Sequence, residues 1–149
     1  MASVSLRDRA IRLLARREYA RRELEQRLVG RGGESSEVGA VLDALAADGL
    51  LSDARYARAV VAQKAGSHSR RSITEALKAK GVAREDVAAA VAETELDDEA
   101  AMRALWQRRF GCPPADERTK ARQVRFLQAR GFALSAILKL LREVAGKAG

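Results

Sequence analysis

Cysteine is almost absent from this 149-residue chain, proline occurs twice, and aromatic residues make up only 4%. Each shortage excludes something. A single cysteine, Cys112, rules out an internal disulfide framework and a multi-cysteine metal site. A single histidine, His68, leaves no partner for a histidine metal pair. Few aromatics mean that the core is built from Ala, Leu and Val, which suits close-packed helices better than a β-sandwich. No apolar run approaches the roughly 18 residues that span a bilayer. The N-terminal MASVSLRDRAIRLL carries charges inside its apolar periodicity and lacks the apolar stretch of a secretory signal. No Gly-rich phosphate loop is present. A soluble protein of the reducing cytoplasm, with no membrane contact and no cofactor, is expected.

What is abundant is positive charge. The formal net charge is +8 and the isoelectric point about 10.4, which favours an acidic partner, nucleic acid foremost. Arginine and alanine are also common products of a GC-rich genome, so the total is a weaker signal than its placement. Residues 1–50 carry nine basic and eight acidic side chains, residues 51–96 eight and six, and residues 97–149 eleven and six. The excess gathers at the C-terminal end.

An internal repeat organises the chain. Gly32, Gly81 and Gly131 are 49 and 50 residues apart. Leu28, Leu77 and Leu127 stand four before them, and Val38, Val87 and Ile137 six after. Eight before come Leu24, Ile73 and, breaking rank, Gln123. A basic residue stands eleven before each: Arg21, Arg70 and Lys120. Each glycine is read as the stop of a helix, since glycine tolerates the left-handed backbone that closes one. Basic residues precede the stop (Arg31; Lys78 and Lys80; Arg130), where the helix dipole favours cations. The next helix has apolar residues at one-face spacing, as in Val38, Val41, Leu42 and Leu45.

A further helix precedes each pair, over Leu6–Arg16, Asp53–Ala65 and Asp98–Arg109, with Ser52 as a cap for the second. The expectation is an all-α chain of nine helices in three tandem three-helix repeats: 1–51, 52–96 and 97–149. Units this small stack on neighbours, which predicts an elongated array. The longest loops fall inside repeats, at Gly66–Ser69 and Gly111–Asp116.

Catalysis is poorly provided for. His68 sits in the polar loop GSHSRR and reads as solvated; Cys112 lies between Gly and Pro and reads as incidental. Asp97–Asp98 and Glu85–Asp86 lie at helix starts, where the dipole accounts for them. Trp106, Phe110, Tyr19, Tyr56, Phe126 and Phe132 read as packing. No catalytic, cofactor or metal residue is assigned. Basic pairs and stripes remain. Arg118, Arg122 and Arg125 follow i, i+4, i+7 spacing on one helix, with Lys120 beside them. Arg21–Arg22 and Arg70–Arg71 occupy similar places in their repeats, at helix starts where the dipole opposes them. These eight cations are the candidate partner-binding set, against the plainer alternative of solvated helix faces.

LLARREYARRELEQRL (13–28), LLSDARYARAVV (50–61) and SRRSITEALKAKGV (69–82) resemble the RecX family of recombination regulators. The family's Arg-Glu turn, Glu-Leu helix and acidic-Arg-aromatic-Ala motif appear here as Arg17–Glu18, Glu23–Leu24 and Asp53–Ala57. KARQVRFLQARGF (120–132) is similar to the family's less regular C-terminal repeat. Ser52 stands where the family often has a second Asp, and Ser67–His68–Ser69 replaces its Gly/Pro-rich turn. The resemblance implies a curved, elongated molecule and a non-enzymatic modulator of RecA that lodges in the groove of the RecA–DNA filament. It further implies inhibition of RecA's ATPase, co-protease and strand-exchange activities. A monomer is expected, meeting DNA within the filament or weakly alone. The competing reading is a direct DNA-binding helical-repeat protein, with helix-turn-helix units as readers. Against it, no helix carries the Asn, Gln and Arg set of base readout.

Overall fold

The computed structural model describes residues 5–30 and 33–148. Among them the chain forms nine helices and no strand: α1 (Leu6–Arg16), α2 (Arg21–Gly30), α3 (Ser35–Ala47), α4 (Asp53–Lys64), α5 (Arg70–Ala79), α6 (Arg84–Glu93), α7 (Asp98–Arg109), α8 (Glu117–Ala129) and α9 (Leu134–Ala148). Side chains one residue ahead of a helix start most of them. Ser5 Oγ accepts the N–H of Asp8 at 3.1 Å, Ser52 Oγ that of Arg55 at 3.1 Å, Asp97 that of Ala100 at 3.1 Å and Asp116 that of Thr119 at 2.7 Å. Each satisfies an amide that has no partner within its own helix.

The helix stops behave as the repeat predicts. Val82 N–H donates to the Leu77 carbonyl at 3.2 Å and Gly81 N–H to Lys78 at 2.9 Å; Phe132 reaches Leu127 at 3.2 Å and Gly131 reaches Gln128 at 2.9 Å. This paired closure needs a left-handed residue, and Gly81 (φ +79°) and Gly131 (φ +92°) supply it. Gly32 and Arg31 lie outside the described residues. Gly33 N–H nevertheless donates to Leu28 at 3.1 Å, the counterpart of the bonds to Leu77 and Leu127.

The chain divides into two compact units, residues 1–60 with 76–93 and residues 61–75 with 94–149, so the division passes through α4 and α5. The first unit has a core of Leu24, Leu28, Val38, Leu42 and Leu45, closed by Ala10, Tyr19 and Leu51. The second packs Met102, Leu105 and Trp106 of α7 against Leu127 of α8 and Ile137, Leu140 and Leu141 of α9. Ile73, Leu77 and Val87 are buried as well. These are the apolar positions at helical spacing around each stop. Truncating any of the fully buried leucines to Ala costs about 2–5 kcal/mol.

Gln123 also has its reason. It is 3% exposed, and its Oε1 accepts the Trp106 Nε1–H at 2.9 Å while its Nε2 donates to the Cys112 carbonyl at 3.3 Å. A leucine there would leave the buried indole N–H without a partner, which is costly. The polar exception in the repeat answers the polar edge of the one tryptophan.

Candidate partner-binding surface

The helix starts at Arg21 and Arg70 are joints. The Asp53 carboxylate accepts the backbone N–H of Arg21 at 2.7 Å in the first unit, and Asp98 accepts that of Arg70 at 2.9 Å in the second. In both cases the first helix of one repeat caps the middle helix of the repeat before it. A carboxylate at each N-terminus also offsets the dipole penalty of the arginines there. The Arg21 side chain is itself engaged, with Asp43 at 2.6 Å and the Gly39 carbonyl at 3.5 Å. Arg70 reaches the Leu96 carbonyl at 3.4 Å. Arg22 lies over Gly81, where an added Cβ would come within 2.8 Å of its Cδ. Arg71 is exposed and pairs with Glu75 one helical turn on at 3.1 Å. Sequence reasoning missed Asp53 and Asp98 in this role, because their partners lie 32 and 28 residues away.

The residues of the turn before α2 are knitted into the same unit. Glu23 Oε1 accepts the Ala20 N–H at 3.2 Å and pairs with Arg17 at 3.0 Å; Lys80 reaches its other oxygen at 3.4 Å. Burial pushes the Glu23 carboxyl up, but the bonds from Arg17 and Ala20 and the charges of Arg17 and Lys80 outweigh it and hold it below its ordinary value. The Arg17 guanidinium lies 3.6 Å from the Tyr19 ring centroid, and Arg55 pairs with Glu18 at 3.1 Å. Arg17, Glu18, Glu23, Asp53 and Arg55 therefore hold helices together.

On α8 the pattern differs. Arg118, Arg122 and Arg125 are exposed, and no ion pair among the described residues engages them. Lys120 is half-buried, in a groove with Pro114, Leu138, Leu141 and Arg142. Arg71 lies by the other end of α8, beside a groove that Gln128 and Gly131 also line. Of the eight candidate cations, the α8 arginines are thus the ones presented freely as a face, while Arg21, Arg22 and Arg70 serve the joints.

The Gly66–Ser69 loop is tied at both ends. Arg108 donates to the Gly66 carbonyl at 3.2 Å, and Ser69 N–H donates to the Arg130 carbonyl at 3.0 Å. His68 is half-buried rather than solvated, with Nδ1 2.9 Å from Ser67 Oγ. Burial, then the charges of Lys64 and Arg130, push its imidazole below the ordinary value. Phe126 is half-buried, unlike Tyr19, Tyr56 and Phe132, and its ring meets Phe110 edge-on at 5.4 Å. Cys112 is exposed.

Family models of the three RecX domains match the chain in order: the first three-helix domain over residues 7–45, the second over 52–91 and the third over 97–141. The chain belongs to the RecX family. A regulatory protein RecX of Leptothrix cholodnii is 43% identical over 142 residues, covering 93% of this chain and 88% of that one. A regulatory protein RecX of Pseudomonas putida is 42% identical over 140 residues, covering 93% and 90%. The crystal structure of RecX from Lactobacillus salivarius shares the fold, with a TM-score of 0.65, 17% identity and 94% of each chain covered. These RecX relatives are named as regulatory proteins, not as enzymes. Among the described residues, no group of His, Cys, Asp and Glu could hold a metal ion, and no helix is long and apolar enough to cross a membrane. For a RecX chain, the arrangement offers charge and shape to a partner: fixed joints, and cations on α8.

Proposed function

We propose that this RecX-family chain binds the RecA–DNA filament and inhibits RecA's ATPase, recombinase and co-protease activities, so modulating DNA repair, recombination and the SOS response. The observation that carries this reading is the match of all three RecX domains along the chain. The working units are the repeats 1–51, 52–96 and 97–149, and the protein acts as a cytoplasmic monomer. Free cations on α8 support a contact with an acidic surface, either RecA itself or the DNA inside the filament. The basic excess also supports a second reading, direct binding of DNA by the helical repeats. Sedimentation separates the two. Filament binding predicts that the protein pellets with preformed RecA–DNA filaments at concentrations where free DNA leaves it in the supernatant. Pelleting that merely follows the amount of DNA, with or without RecA, favours the second reading.

A further inference from the structure

A second group of cations adjoins the α8 face proposed above, where the end of α4, the Gly66–Ser69 loop, the end of α7 and the end of α8 meet within the second unit. The guanidinium groups of Arg109 and Arg130 lie 5.3 and 5.0 Å from the centre of the same ring, Phe126. The loop carries His68 between Lys64, whose carbonyl accepts the His68 N–H at 3.0 Å, and Arg130, whose carbonyl accepts the Ser69 N–H at 3.0 Å. No ion pair among the described residues engages Lys64, Arg109 or Arg130.

Like charges gathered without an ion-paired carboxylate repel one another, and the half-burial of Lys64 and Arg130 strengthens that repulsion, while Arg109 is exposed. The arrangement therefore stores affinity for an anion. Both guanidinium groups lie within cation–π distance of the Phe126 ring, and no ion pair among the described residues takes up their N–H groups. With two cations and the Phe110 ring around it, Phe126 is a poor platform for stacking a base. A single carboxylate or a single phosphodiester, each with two anionic oxygens, cannot take up every donor on these elements, whereas a chain of phosphodiesters meets them in succession. The charge continues along α8, where Arg118, Arg122, Phe126 and Arg130 succeed one another at intervals of four, over roughly 18 Å. A track of that length fits a polymer with regularly repeated charges.

We infer that Lys64, His68, Arg109 and Arg130 form a binding site for the phosphodiester backbone of nucleic acid, read without regard to base. The two bonds that hold the loop make the site preformed, so little ordering opposes binding. The inference does not depend on RecA, and its test contains none.

His68 is the only histidine, so its proton resonance titrates alone in an NMR spectrum of the full chain. A short oligothymidylate should raise the His68 pKa, because a phosphate beside the imidazole favours its charged form. The double variant Arg109→Gln/Arg130→Gln should weaken oligothymidylate binding about tenfold and flatten its dependence on salt by about two charges. Lys64→Gln should flatten it by about one, and circular dichroism checks that each variant is folded. Two results would overturn the site. In one, oligothymidylate binds while the His68 titration stays put. In the other, polyglutamate of matched charge moves His68 at least as far at the same concentration, which makes the cluster a carboxylate site for protein.

Discussion

The carboxylate of Asp53 receives the backbone N–H of Arg21 at 2.7 Å, so the helix that opens the second repeat caps the middle helix of the first. Asp98 treats Arg70 in the same way at 2.9 Å. Replacing either Asp with Ala should destabilise the protein by about 1 kcal/mol, the ordinary worth of a helix cap. The two changes should add within about 0.5 kcal/mol, since they share no partner. Urea unfolding of the single and double variants checks this, and unchanged midpoints would remove the joint from the account of stability.

The two stop glycines should differ. Alanine at either must adopt a left-handed backbone, at about 1–2 kcal/mol. At Gly81 the new Cβ meets only the flexible side chain of Arg22. At Gly131 it runs into Ser69 Oγ and comes within 2.6 Å of the Ser72 Cβ, both held by the start of α5. Gly131→Ala should therefore lower the melting temperature more than Gly81→Ala. Equal losses would mean that the backbone strain alone matters.

Gln123→Leu restores the apolar pattern of the other repeats and should still be unfavourable. It leaves the Trp106 indole N–H and the Cys112 carbonyl unpaired, at about 1–3 kcal/mol for the buried donor. Trp106 is the only tryptophan, so its fluorescence reports both the unfolding and the local change.

Acid should act through Glu23. Its carboxyl is held below the ordinary value of 4.5, so in that range the unfolded chain binds protons that the folded one does not. The stabilisation is complete above 4.5 and is lost as pH falls through the lower, folded-state value. Glu23→Gln should flatten the fall of stability with pH in that window, as followed by denaturant midpoints. Because the carboxylate is partly screened by solvent, the change in slope rather than its absolute size is the readout.

Much of this fold was legible from periodicity. α1 and α7 fall on Leu6–Arg16 and Asp98–Arg109 as expected, because each is bounded by local signals: a capping Ser or Asp ahead, and apolar spacing within. α4 ends at Lys64, one residue short of the expected Ala65. The stops at Gly81 and Gly131 were visible for the same local reason. The candidate surface was less so. Arg21 and Arg118 look alike in sequence, and only tertiary contacts separate a cation tied to Asp43 from one on an open face. Arg109 and Arg130 meet at Phe126 from two different helix ends, a convergence that no spacing within one helix encodes.

Reversing the charge at Arg118, Arg122 and Arg125 together should weaken RecA inhibition while leaving stability nearly unchanged. These side chains are exposed, and surface substitutions usually shift stability by no more than about 0.5 kcal/mol each. Undiminished inhibition by the folded triple variant would exclude the α8 face as the contact.

The most direct measurement is the steady-state rate of ATP hydrolysis by RecA on single-stranded DNA, titrated with this protein while its occupancy of the same DNA without RecA is followed in parallel. Regulation of the filament predicts that hydrolysis falls at concentrations where free DNA remains unoccupied. Hydrolysis that stays constant until the protein has sequestered the free DNA would contradict it.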